Sequence, residues 1–157
     1  MAATLAIVAV LTNGLLAGLS LDRSVVALPA WRRVGLREWA AFSRRADLGN
    51  GLILYPLLGI GGPLLSIATA GAIWLGSLPP TAIGPVMTTA VLSVAHVIAT
   101  ARAAPNMTKV RHLPDDDEAG LRGAFAAFER WQAIRATLQV LTFASSVWAL
   151  VAIVGAS

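Results

Sequence analysis

The sequence predicts an all-α protein: a bundle of four membrane-spanning helices, with a short interfacial helix in the first loop and a cytoplasmic extension of the fourth helix. Three observations carry this. Of 157 residues, 57% are hydrophobic and only 13% charged, about half the charged share of an ordinary soluble domain. Mean hydropathy is +0.73. The charges are also segregated, because residues 1–21, 48–101 and 136–157 hold no Asp, Glu, Lys or Arg.

A spanning helix needs about 20 apolar residues, and the uncharged tracts supply four within one membrane domain, residues 1–157. Residues 2–21 form the first span. Basic residues follow this run and none precedes it, which predicts a retained span and not a cleaved leader. The 54-residue uncharged tract is long enough for two spans, and Gly76-Ser77-Leu78-Pro79-Pro80 marks a turn near its middle. Span two is therefore placed at 48–78 and span three at 81–101. Span two is overlong, and Pro56 and Pro63 predict a kink in it. Residues 136–154 form span four.

Six of the Lys/Arg residues fall in each of the segments 22–47 and 102–135, and none elsewhere. With four spans these segments share one side, which the positive-inside rule makes cytoplasmic, both termini being outside. The expected location is a bacterial plasma membrane. Within the first segment, Val34–Asp47 mixes Leu36, Trp39, Ala40 and Phe42 with arginines, as an interfacial helix does. Trp31 and Trp39 suit an aromatic belt. In the second, Asp115–Glu118 place acids at a helix start, where the macrodipole favours them. Leu121, Phe125, Phe128, Trp131 and Ile134 then recur at helical spacing into span four.

Composition excludes several functions. There is no cysteine, hence no disulfide, thiolate nucleophile or thiol redox pair. Two histidines, His96 and His112, cannot build a His-rich metal site, and no metal or other cofactor is expected. The net charge of +4 reflects topology and not nucleic-acid binding. No nucleotide motif is present, and no acid lies within a predicted span, which argues against a pump or ion-coupled transporter.

Polar residues at membrane depth are the informative ones. Counting from the nearest charge, Asn13 lies roughly 13 Å inside, Tyr55 12 Å, His96 9 Å and Gln139 6 Å. One polar side chain per helix at similar depth predicts a shared pocket in the cytoplasmic half. Each also has a structural reading, as interhelical hydrogen-bond glue or as a satisfied packing residue. Arg135 cannot shed its charge on burial. It either snorkels to lipid phosphates or holds an anionic oxygen at the pocket mouth. Trp131 lies one turn away on the same helix face.

The runs Ala104-Pro105-Asn106-Met107-Thr108-Lys109 and Phe128-Glu129-Arg130-Trp131-Gln132-Ala133-Ile134-Arg135 resemble the anthrone oxygenase-like family of small four-helix membrane proteins. Asn106, Trp131 and Arg135 match its pattern, while Gln132 stands where His or Asn is common. The resemblance implies cofactor-independent oxidation of a hydrophobic aromatic, anthrone- or quinol-like substrate by molecular oxygen. Such chemistry needs a base, donors for an enolate oxygen and a dry pocket. The catalytic candidates are then His96, Arg135 and Asn106. Asn13, Tyr55, Trp131, Gln132 and Gln139 are the substrate-binding candidates. The alternative is a non-catalytic membrane protein that binds lipid, quinone or a partner subunit, and a haem held by His96 is a lesser alternative. The implied partners are the bilayer and a hydrophobic small molecule, and a homo-oligomer is compatible with the pattern.

Overall fold

The computed structural model describes residues 2–156. Among them the protein is all helix and turn, with four helices long and apolar enough to cross a membrane. It is an integral membrane protein built as a four-helix bundle. α1 (Ala2–Leu21) continues through a π-helical stretch, Asp22–Ala27, into α2 (Leu28–Val34). α3 (Leu36–Arg45) is followed by a second π-helical stretch, Ala46–Asn50, kinked at Gly49 (φ −100°, ψ −113°), and then by α4 (Gly51–Gly71). α5 (Pro80–Lys109) and α6 (Glu118–Val154) complete the bundle.

The predicted first loop is thus almost entirely helical. Only Gly35, at φ 106°, breaks the path between α2 and α3, in a conformation that an L side chain rarely adopts. The predicted second span also needs correction. Its helix ends at Gly71, and residues 72–78 form turns that reverse at Gly76, φ 62°. The third helix runs eight residues past its predicted end at 101, through Pro105, to Lys109. The extension of the fourth helix begins at Glu118, capped by the Asp117 carboxylate, which accepts from the Gly120 N–H at 2.9 Å.

The run Ala2–Val34 is 33 residues, roughly 50 Å of helix against a hydrocarbon core of about 30 Å. The excess builds a second packed region at the charged end. There Leu28, Trp39, Ala40, Val110, Leu121 and Phe125 are buried together. Trp31, packed on Phe125 at 6.2 Å between ring centroids, and Trp39 are therefore core residues and not belt residues. α3 turns Trp39, Ala40 and Ser43 into this core and leaves Phe42 exposed. Arg32 grips both carboxylate oxygens of Glu129 at 2.8 and 3.0 Å. Arg44 pairs with Asp115 and donates to the carbonyls of Val110 and Leu113.

Between the apolar ends, three helices close on a seam of small and polar residues. α1 buries Ala6, Ala9, Asn13, Ala17 and Ser20; α5 buries Ala82, Val86, Thr89, Ser93, His96 and Ala103; α6 buries Gln132, Ala136, Gln139, Thr142, Ser146 and Ala149. Steps of mostly three and four residues keep one stripe facing the partners. Its small side chains let backbones approach where lipid provides no hydrophobic drive. α4 joins the seam only in its second half. Gly62, Pro63, Ser66 and Thr69 are buried, whereas none of residues 52–61 is.

The packed charged end has a measurable share in stability. Phe125→Ala, at a site with no solvent exposure, is expected to cost about 3–5 kcal/mol of unfolding free energy in detergent. Phe42→Ala, at the exposed face of α3 where the ring stacks on Trp39 at 5.2 Å between centroids, should cost only about 0.5–1.5 kcal/mol. Equal losses would contradict this placement of the core.

Candidate functional site

Where α4 stands away from the seam, a cavity of about 330 Å³ opens between α1, α4, α5 and α6. It sits at the junction of the uncharged bundle and the charged end. Its α4 wall is one helical face: Gly51, Leu52, Tyr55, Pro56, Gly59 and Ile60. Leu16 and Leu19 of α1 and Val97 and Met107 of α5 make much of the remaining lining. The sequence explains the gap. Pro56 and Pro63 cannot donate to the carbonyls of Leu52 and Gly59, so the helical ladder is interrupted on the cavity side.

Three arginine and aspartate side chains reach this largely apolar space: Arg23, Asp47 and Arg135. Arg23 is ion-paired with Asp47, and both side chains are about nine-tenths buried or more. The Arg23 guanidinium also lies 5.5 Å from the Trp39 ring centroid and 5.9 Å from that of Phe128, within cation–π range. Arg135 has no ion-pair or hydrogen-bond partner among the described residues, and its Nε–H is buried without an acceptor. The site thus carries one neutralised cation and one free cation.

The remaining polar groups form a short chain beside Arg135. Ser20 donates its hydroxyl to Gln139 Oε1, and Gln139 Nε2 lies 3.5 Å from His96 Nδ1. Gln139 and Ser20 line the cavity, whereas His96 is fully buried behind them with Nε2 unpartnered. A neutral imidazole accepting at Nδ1 would carry its proton at Nε2.

The shared pocket expected from residue depth is therefore only partly assembled. Tyr55 and Gln139 line the cavity together with Arg135. Asn13 does not; it is buried in the seam, donating to Ser66 Oγ at 3.2 Å. Gln132 is fully buried one step toward the charged end, where Nε2 donates to Ser24 Oγ at 3.2 Å. Asn106 donates back to the Arg102 carbonyl at 2.9 Å and does not line the cavity. Trp131 packs on the charged-end core instead of sharing a wall with Arg135. The mouth predicted from Asn106, Trp131, Arg135 and His96 thus keeps only Arg135.

Sequence reasoning missed Ser20, Arg23 and Asp47. Arg23 and Asp47 were counted as loop charges, yet each adjoins an apolar tract on one of two consecutive helices. That position was the available signal: α1 continues through Asp22–Ala27 and turns Arg23 inward, while Asp47 is buried in the stretch before the kink at Gly49.

A buried pair has a characteristic mutational signature. Asp47→Ala leaves Arg23 uncompensated and is expected to cost about 3–5 kcal/mol of stability. The double variant Arg23→Met with Asp47→Leu should recover most of that loss by the same reasoning. Unfolding titrations of both variants check this, and a double variant as unstable as the single one would contradict a desolvated pair.

No protein-family model, curated protein or solved structure matches the chain.

Proposed function

We propose that this membrane protein binds a hydrophobic small molecule bearing one acidic oxygen, with the oxygen at Arg135 and the apolar body along the α4 wall. The observation that carries the reading is Arg135 itself, a cation on the wall of a mostly apolar cavity with no carboxylate partner among the described residues. A guanidinium stays charged in any protein environment. Arg135 is half-buried with its Nε–H shut away from any acceptor, and an anionic ligand satisfies the guanidinium through charge-assisted hydrogen bonds. The cavity volume falls at the small end of ordinary ligand sites, roughly 300–1,000 Å³. Tyr55, Ser20 and Gln139 supply neutral polar contacts beside the cation.

A second reading is oxidation of an anthrone-like substrate, as the resemblance implies. It is favoured by Arg135 and Gln139, one helical turn apart and both on the cavity wall. A cation against a phenol-like oxygen favours its ionised form, so Arg135 would promote the enolate with solvent taking the proton. The ring methylene then loses two hydrogens, and O₂ supplies the new carbonyl oxygen while its other atom leaves as water. His96 acts only through Gln139 in this scheme. We also propose that the charged end is cytoplasmic, because all 12 Lys/Arg residues lie in the two segments gathered there.

Binding is tested in nanodiscs of net-neutral phosphatidylcholine, with 2-naphthoate against naphthalene. Arg135→Gln is expected to weaken naphthoate about 10- to 100-fold, the equivalent of a lost charged hydrogen bond, and to leave naphthalene unchanged. Parallel losses, or none, would remove the binding reading. Oxygen uptake with anthrone tests the second reading; uptake no faster than in protein-free nanodiscs would exclude it. For orientation, a C-terminal reporter active only in the cytoplasm should stay silent, and activity there would reverse the topology.

A further inference from the structure

The cavity is not closed toward its surroundings. Leu52, Tyr55 and Ile60 line it from α4 yet are 46%, 38% and 58% exposed, and Val97 facing from α5 is 39% exposed. The lined stretch of α4 from Gly51 to Ile60 rises roughly 13 Å, and that of α5 from Val97 to Thr108 roughly 16 Å. An apolar slot therefore runs from the charged end into the part of the bundle that lipid surrounds. Arg135 stands on its inner wall.

We propose that the occupant is a membrane lipid with an anionic head group, its head on Arg135 and one alkyl chain lying in the slot between α4 and α5. This rests on the reading that Arg135 takes an acidic oxygen, and adds the source and shape of the ligand. Charge complementarity selects the head. The cavity holds two guanidinium groups and one carboxylate, and Asp47 is committed to Arg23. A monoanionic head neutralises the remainder, whereas a zwitterionic head brings a second cation to a wall with no free carboxylate. The open slot selects the body. An alkyl chain loses nothing by touching bilayer lipid along one side, and free phosphate would leave the apolar walls uncovered.

The test uses the full chain in nanodiscs of mixed phosphatidylglycerol and phosphatidylcholine, released into detergent for native mass spectrometry. Wild type is expected to retain one phosphatidylglycerol with about a 10-fold or greater preference, as a charged hydrogen bond supplies. Arg135→Gln should bring the ratio near one, and Arg135→Lys, which keeps the charge, should preserve a preference even where the glutamine variant folds poorly. Ala104→Phe on the slot wall should expel the lipid. Oleate displacing the phospholipid would name a free fatty acid as the source and uphold an anionic head with an alkyl chain. Displacement by inorganic phosphate alone would overturn the proposal, as would equal retention of both phospholipids or a preference that survives Arg135→Gln. Naphthoate binding without lipid selectivity sinks this inference and spares the reading beneath it; loss of both sinks both.

Discussion

Helices surrounded by lipid gain little by burying apolar side chains against one another, because the tails outside are as apolar as leucine. Where such a bundle closes is therefore decided by small residues and by polar groups that need partners. In this chain α1, α5 and α6 carry a stripe made mostly of Ala, Ser, Thr, Asn, His and Gln, and they close along it. The first half of α4 offers Leu, Ile and Tyr with two prolines nearby, and it does not close. The cavity follows from that difference in one helix.

The position of the cavity then fixes its chemistry. It lies where the uncharged tracts end, so charged residues at or next to those ends border it: Arg23, Asp47 and Arg135. Two of them cancel. The third has no protein counter-ion among the described residues, which leaves an unpaired cation beside apolar walls. Burial and hydrogen bonding set the neutral groups around it. His96 is held in the seam and meets the cavity lining only at the Gln139 amide, 3.5 Å from its Nδ1.

The fold class was legible because charge segregation and apolar run length depend on the bilayer, not on tertiary detail. The helical extension into span four was legible too, from the periodicity of Leu121, Phe125 and Phe128 and the acids before them. The first loop was legible only in part: the helix over Val34–Asp47 was, as α3, but not that Leu28, Trp31 and Trp39 fill a core at the charged end, because belt and core aromatics look alike in sequence. Residue depth correctly put Asn13, His96 and Gln139 in the interior, but depth carries no information on rotation about the helix axis. Of these only Gln139 turns to the cavity. Arg23 and Asp47 were hidden by standing near the two ends of one charged segment, 22–47, where the backbone turns both inward to pair.

The central claim is that α4 stands off the seam beside Arg135 and leaves the wall of α5 accessible. The chain has no cysteine, so single cysteines read this directly by labelling of the folded protein with a membrane-permeant maleimide. Thr100 lines the cavity and Thr89, three turns away on the same helix, is 4% exposed in the closed seam. The account predicts that the Thr100→Cys variant labels readily while Thr89→Cys labels only after unfolding. Equally slow labelling of both in the folded protein would mean that α4 packs down along its whole length and that the cavity does not exist.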